Sequence, residues 1–238
     1  MSRERYHAPE SYHVPIRSAS LEKKIEKIIK AYRTLVGIPE GTILTDPQYT
    51  EPDTCIPQKY LENQESMTSL PGETGFYIDT DDAKLSVIDR GTALRMNPMT
   101  NQVFDVEVHT HIRLNDRVFS PPSGHDLYRA LCLSIAGIRP ILQVIAPEGL
   151  YTFSVSEALT NLVKDDTKLV KALKDPLVDM TVDLWEVTCK DNTDPRSIRL
   201  YTDAIRQMGF SIVHTTKPCP PNPEIPYATQ VDRLYRGV

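Results

Sequence analysis

The stretch HTHIRLNDRVFSPPSGHD, residues His109 to Asp126, decides how this chain is read. It holds three of the six histidines, a double proline and a Ser-x-x-Asp. Upstream, NQVFDVEV has the β-branched and apolar residues of a strand between turn signals. Alternation along it puts Asp105, Glu107, His109 and His111 on one face, with Phe104, Val106, Val108 and Thr110 on the other. The two imidazoles then point the same way from backbone positions roughly 7 Å apart. Downstream, Pro121-Pro122 stiffens the chain, and a helix is predicted from Ser123 to about Ala136, stopped by Gly137 and Pro140.

Two readings of the Ser-x-x-Asp compete. As a capping box, Ser123 caps the helix and Asp126 answers from the third position, with no metal involved. As a metal site, Asp126 adds a carboxylate, stabilised by the helix dipole, to His109 and His111. Catalytic zinc commonly takes three protein ligands and leaves one position open. The order strand end, loop, helix start, with a glutamate upstream, favours the metal.

Working outward, LEKKIEKIIKAYRTL (residues 21–35) places Leu21, Ile25, Ile28, Ile29, Tyr32 and Leu35 on one helical face, with Ser20 as its N-cap. TGFYID and KLSVIDRG read as strands. PILQVIA and GLYTFSV, joined through Pro-Glu-Gly, read as a strand pair. Helical stretches follow around residues 156–174 and 195–208, then a late strand, FSIVHT. Residues 37–58 are expected to wrap the surface, and the proline-rich tail to run extended. Strands interspersed with helices, without a regular βαβ repeat, give a mixed sheet with helices on its faces: α/β in the broad sense, α+β in the stricter one.

With 238 residues, 40% of them apolar, the chain suits one core with extensions. A net charge of −5 without a basic stripe makes nucleic acid a poor partner. Cys55, Cys132, Cys189 and Cys219 form no C-x-x-C pair, which disfavours a zinc ribbon and fits a reducing compartment. No apolar run could span a bilayer, so a soluble intracellular protein is expected, in cytoplasm or nucleus, with a viral source left open.

His-x-His, a loop, then Pro-Ser-x-x-Asp resembles the JAMM motif of the JAB/MPN zinc metalloproteases. Glu73, in PGETGFYI, resembles the family's Glu-x-Gly ahead of an apolar strand. The resemblance covers about residues 65–155. It implies a cytidine-deaminase-like JAB/MPN domain, a curved mixed sheet flanked by helices with N- and C-terminal extensions. The resemblance says little about either end; the expected division of the chain is an arm and amphipathic helix (1–60), a catalytic core (61–155), a helical and strand extension (156–216) and a proline-rich tail (217–238).

The activity implied is zinc-dependent hydrolysis of a peptide or isopeptide bond, as in a deubiquitinase, with a ubiquitin-like conjugate as protein substrate. By position, His109, His111 and Asp126 would bind Zn2+, Glu73 would act as general base, and Ser123 would help to stabilise the tetrahedral oxyanion. Glu107, two residues before His109 on the same face, rivals Glu73. The sequence departs from the family at Ile112, where proline is usual, and in the longer stretch between His111 and Ser123. A second expectation is a catalytically silent MPN-like scaffold held in an assembly by its terminal arms. His125 should point about 100° away from Asp126 around the helix, as a bystander. Cys132 and Trp185 read as packing residues. The zinc deaminases need H-x-E and P-C-x-x-C, which the chain lacks.

Overall fold

A computed structural model describes residues 19–44, 74–79, 84–90, 106–111, 119–137, 141–190 and 194–218. The expected N-terminal arm, most of the 37–58 wrap, Glu73, most of the loop after His111, and the proline-rich tail from residue 219 lie outside them.

Six strands form one sheet in the order β2-β1-β3-β4-β5-β6: β1 (Thr74–Asp79), β2 (Lys84–Arg90), β3 (Val106–Thr110), β4 (Ile141–Ala146), β5 (Gly149–Val155) and β6 (Phe210–Thr215). Among the described residues, only β3 and β4 pair in parallel; every other neighbouring pair is antiparallel. The sheet is therefore mixed, as expected, and the class is α+β. A parallel pair needs a long crossover, and here the crossover is the quoted loop with α2 (Gly124–Ile135). This places the start of α2 beside the end of β3.

β3 is central, and its described side chains are buried on both faces: Val108, His109, Thr110 and, just past it, His111. β4 reads as a near-continuous apolar run (ILQVIA), the pattern of a strand covered on both sides. Its one long polar residue, Gln143, donates across the ladder to Thr152 Oγ1 at 3.2 Å. β4 and β5 join through a two-residue turn, Pro147-Glu148.

Five further helices complete the described fold: α1 (Ala19–Val36), α3 (Glu157–Val163), α4 (Thr167–Ala172), α5 (Lys174–Thr188) and α6 (Arg196–Gln207). In α1 the buried face is Ile25, Ile29, Tyr32 and Val36. Leu35, expected inside, is 40% exposed, because the inward stripe steps by four and three residues and passes through Val36 instead. Ser20 lies within α1, which starts at Ala19. The helix ends in a Schellman pattern: Gly37 adopts φ 75°, its N–H reaches Thr34 O, and Ile38 N–H reaches Arg33 O. Ile38 and Leu44 then dip into the core, so this part of the segment does more than wrap the surface.

α5 was not expected as a separate helix. Its inward residues are Leu177, Thr181, Leu184 and Thr188, two of them threonines, which mask the apolar stripe. Each threonine hydroxyl is satisfied by a carbonyl of the preceding turn, Thr181 on Leu177 O and Thr188 on Leu184 O. α5 packs on α1, α2 and α6, and α6 packs on β6. One apolar core runs from Ile25 through Leu131, Tyr151 and Leu184 to Ile212, so residues on both sides of position 155 share it. No described helix is long and apolar enough to cross a membrane.

Candidate metal centre

β3 carries His109, and the chain one step beyond it carries His111, whose backbone N–H still bonds Ile145 O of β4 at 2.9 Å. That bond prolongs the ladder and fixes the second imidazole at the strand mouth. The N-terminus of α2 comes up beside it. Ser123 is the N-cap: its Oγ accepts from Asp126 N–H at 3.4 Å, and its backbone N–H donates to Asp126 Oδ2 at 2.6 Å. The Ser123 hydroxyl also donates to Asp126 Oδ2 at 2.7 Å.

The capping box is thus real, and it does not exclude the metal reading. The cap occupies Oδ2 and aims the carboxylate. Among the described residues, one ligand atom each from His109, His111 and Asp126 lies within 4.8 Å of the others. His109 Nε2 is 3.1 Å from Asp126 Oδ1, His111 Nε2 is 3.3 Å from Oδ2, and the two Nε2 atoms are 3.3 Å apart. All three residues are largely buried, with Asp126 the most open.

The proton inventory shows what this arrangement demands. His111 Nδ1 lies 2.9 Å from the Ser120 carbonyl, which can only accept, so Nδ1 carries the proton. When His111 is neutral, its Nε2 is then a bare lone pair, facing Asp126 Oδ2 and the second imidazole nitrogen. Such lone pairs repel unless a cation or a proton sits among them. Tetrahedral zinc with ligand bonds of about 2.0–2.1 Å keeps its ligand atoms about 3.3 Å apart, close to the separations here. The donor set of two imidazoles and one carboxylate also suits zinc.

Burial by itself would raise the Asp126 carboxyl; charge and hydrogen bonds from His109, joined by those from His111, outweigh it and hold the carboxyl well below the usual aspartate range.

The supporting layer is one that sequence reading did not find. The peptide between Phe119 and Ser120 is held at both ends. Trp185 Nε1–H of α5 donates to Phe119 O at 3.0 Å, and Ser120 N–H donates to Glu148 Oε1 at 2.7 Å. Tyr201 of α6 donates its buried hydroxyl to Pro122 O at 2.7 Å. Tyr151 also donates to Glu148 Oε1, at 2.8 Å, and its ring packs on His214 with centroids 4.6 Å apart. Burial raises the Glu148 carboxyl despite the donors around it. His214, which had no evident role in the sequence, lies with Nε2 3.3 Å from Glu148 O.

The expected site residues therefore divide. His109, His111 and Asp126 come together. Ser123 sits beside them with its hydroxyl turned to Asp126. Glu107 is placed by its backbone alone, opposite Tyr77 and Leu142. His125 is exposed, as a bystander should be, and Cys132 is half-buried. Trp185 both packs and clamps the loop.

Comparison with known proteins returned no match: no protein-family model, no curated protein and no solved structure aligns with the chain.

Proposed function

We propose that this chain is a zinc-dependent hydrolase of the JAB/MPN type, cleaving a peptide or isopeptide bond in a protein substrate of the ubiquitin-like conjugate class. One observation supports it above the rest. Two imidazole nitrogens and a carboxylate face one another at 3.1–3.3 Å, with His111 Nδ1 donating to the Ser120 carbonyl so that Nε2 is the nitrogen left for the ion.

His109, His111 and Asp126 would hold the ion. Zinc, when bound, polarises a carbonyl and lowers the pKa of water towards about 7. Glu73 is the proposed base, taking the proton of the attacking water and returning it to the leaving amine. In the antiparallel ladder of β1 with β3, Gly75 lies opposite His109. Glu73 stands two residues before Gly75 in the sequence. Ser123 holds Asp126 in the metal-free protein. In the reaction its hydroxyl turns to the developing oxyanion, a contact typically worth about 2.7–4 kcal/mol.

The test has two arms. Metal analysis of the purified chain should find about one zinc per molecule, and a chain that takes up no zinc when offered it overturns the proposal. In a screen of ubiquitin-like conjugates, activity should vanish with a chelator. It should vanish equally in Glu73→Gln, which keeps its metal. If Glu107→Gln rather than Glu73→Gln abolishes turnover, the base is Glu107.

A further inference from the structure

Glu148 takes no part in the chemistry proposed above, yet its surroundings are built with care. It occupies the tight turn between β4 and β5, and its Oε1 accepts from Ser120 N–H and the Tyr151 hydroxyl. Its Oε2 is buried with no hydrogen-bond partner among the described residues. A buried carboxylate oxygen without a donor is costly, so the position needs a reason that hydrogen bonding within the turn does not provide.

The geometry points to Glu148 as a positioning residue for the metal centre, acting through Ser120: it holds the Ser120 backbone so that the Ser120 carbonyl accepts the Nδ1–H of His111 and leaves Nε2 to face the ion. This rests on the metal reading of His109, His111 and Asp126.

The chain of contacts is short. Glu148 Oε1 accepts from Ser120 N–H at 2.7 Å, and the Ser120 carbonyl lies 2.9 Å from His111 Nδ1. Ser120 precedes two prolines, which restrict its backbone to extended conformations and offer no N–H of their own. The Ser120 N–H is therefore the handle by which this turn of the loop can be gripped, and a carboxylate grips it with a charge-assisted bond. Ligating histidines characteristically donate their second nitrogen to an acceptor that fixes ring and tautomer. Here the acceptor is a backbone carbonyl, and Glu148 sets where that carbonyl stands.

Charge supplies the reason for the bare oxygen. With Asp126 as the acidic ligand, a loaded zinc centre keeps one net positive charge. A buried carboxylate in the adjoining turn offsets it, and so gains from the ion what it lacks in donors.

The experiment is zinc affinity by chelator competition, with the absorption spectrum of the Co2+-loaded protein, on the full chain and three variants. Glu148→Ala removes the acceptor and should weaken zinc binding by about 10–100-fold, with a changed Co2+ spectrum. Glu148→Gln keeps an acceptor but loses the charge, and should fall between wild type and Ala, recovering part of that loss. Tyr151→Phe removes the other donor to Oε1 and should leave affinity within about twofold, whatever it does to stability. Equal affinities for wild type and Glu148→Ala overturn the inference, as does a Gln variant as weak as Ala. Should Glu148→Ala not fold, 15N spectra of the metal-free wild type decide: His111 must be the Nδ1–H tautomer, and the Ser120 amide must be shifted downfield and protected from exchange. A wild type that binds no Zn2+ or Co2+ refutes the metal centre itself, an outcome distinct from a wild type that binds and is indifferent to position 148.

Discussion

Gly124→Ala is the most demanding test of how the site is held. Gly124 is the first residue of α2, two positions before Asp126. A methyl group built on it would lie 2.5 Å from Leu177 O and from the N and Cα of Val178. All three are backbone atoms of α5, and none can swing aside as a side chain would. Ordinary contact begins at 3.4 Å, so the two helices must part locally by about 0.9 Å. Overpacking of this kind costs about 1–3 kcal/mol. In a chain of this length each 1 kcal/mol lowers Tm by about 2–4 °C. The displacement also carries Asp126, and a ligand needs to be placed within about 0.5 Å, so zinc affinity should fall together with stability. The assay is urea unfolding of the metal-free protein alongside zinc titration, with the exposed neighbour substitution His125→Ala as control. Stability within about 0.5 kcal/mol of wild type, with unchanged zinc affinity, would refute the packing of α2 on α5 described above.

Two further outcomes follow from the same geometry. Tyr201→Phe strands the buried Pro122 carbonyl and should cost about 1–3 kcal/mol in urea unfolding; a loss below about 0.5 kcal/mol means that the hydroxyl is not holding the loop. Asp126 has a folded pKa depressed below its unfolded value of about 3.9. Its stabilising contribution is therefore complete above that value and is lost as pH falls through the folded one. Metal-free wild type should lose more stability than Asp126→Asn between pH 5 and the acid limit, and parallel curves for the two would contradict the ion-pair geometry.

The candidate ligand set was legible because its determinants are local. A strand alternates, so His109 and His111 share a face. A Ser-x-x-Asp behind two prolines starts a helix, so Asp126 has one place to be. The cap, which is present, leaves the metal reading of Asp126 open, since a carboxylate has two oxygens and the cap engages Oδ2. What stayed hidden depends on contacts between distant parts of the chain. Ser120 meets Glu148 across 28 residues, Phe119 meets Trp185 across 66, and Pro122 meets Tyr201 across 79. No periodicity reports such pairings. α5 was missed for a local reason: threonines at two of its inward positions break the apolar count, and their satisfaction by the preceding turn is visible only once the helix exists.

The order in which a ribosome releases this chain gives the clamp a further meaning. All three ligands have emerged by residue 126, and Glu148 follows soon after, but the indole and phenol that pin the intervening loop come at 185 and 201. A nascent chain can thus own every ligand while the loop between them is still unpinned. On the proposed metal reading, high-affinity capture of the ion would be deferred until the last described helix has docked, and an aborted product ending near residue 155 would be a poor competitor for scarce metal.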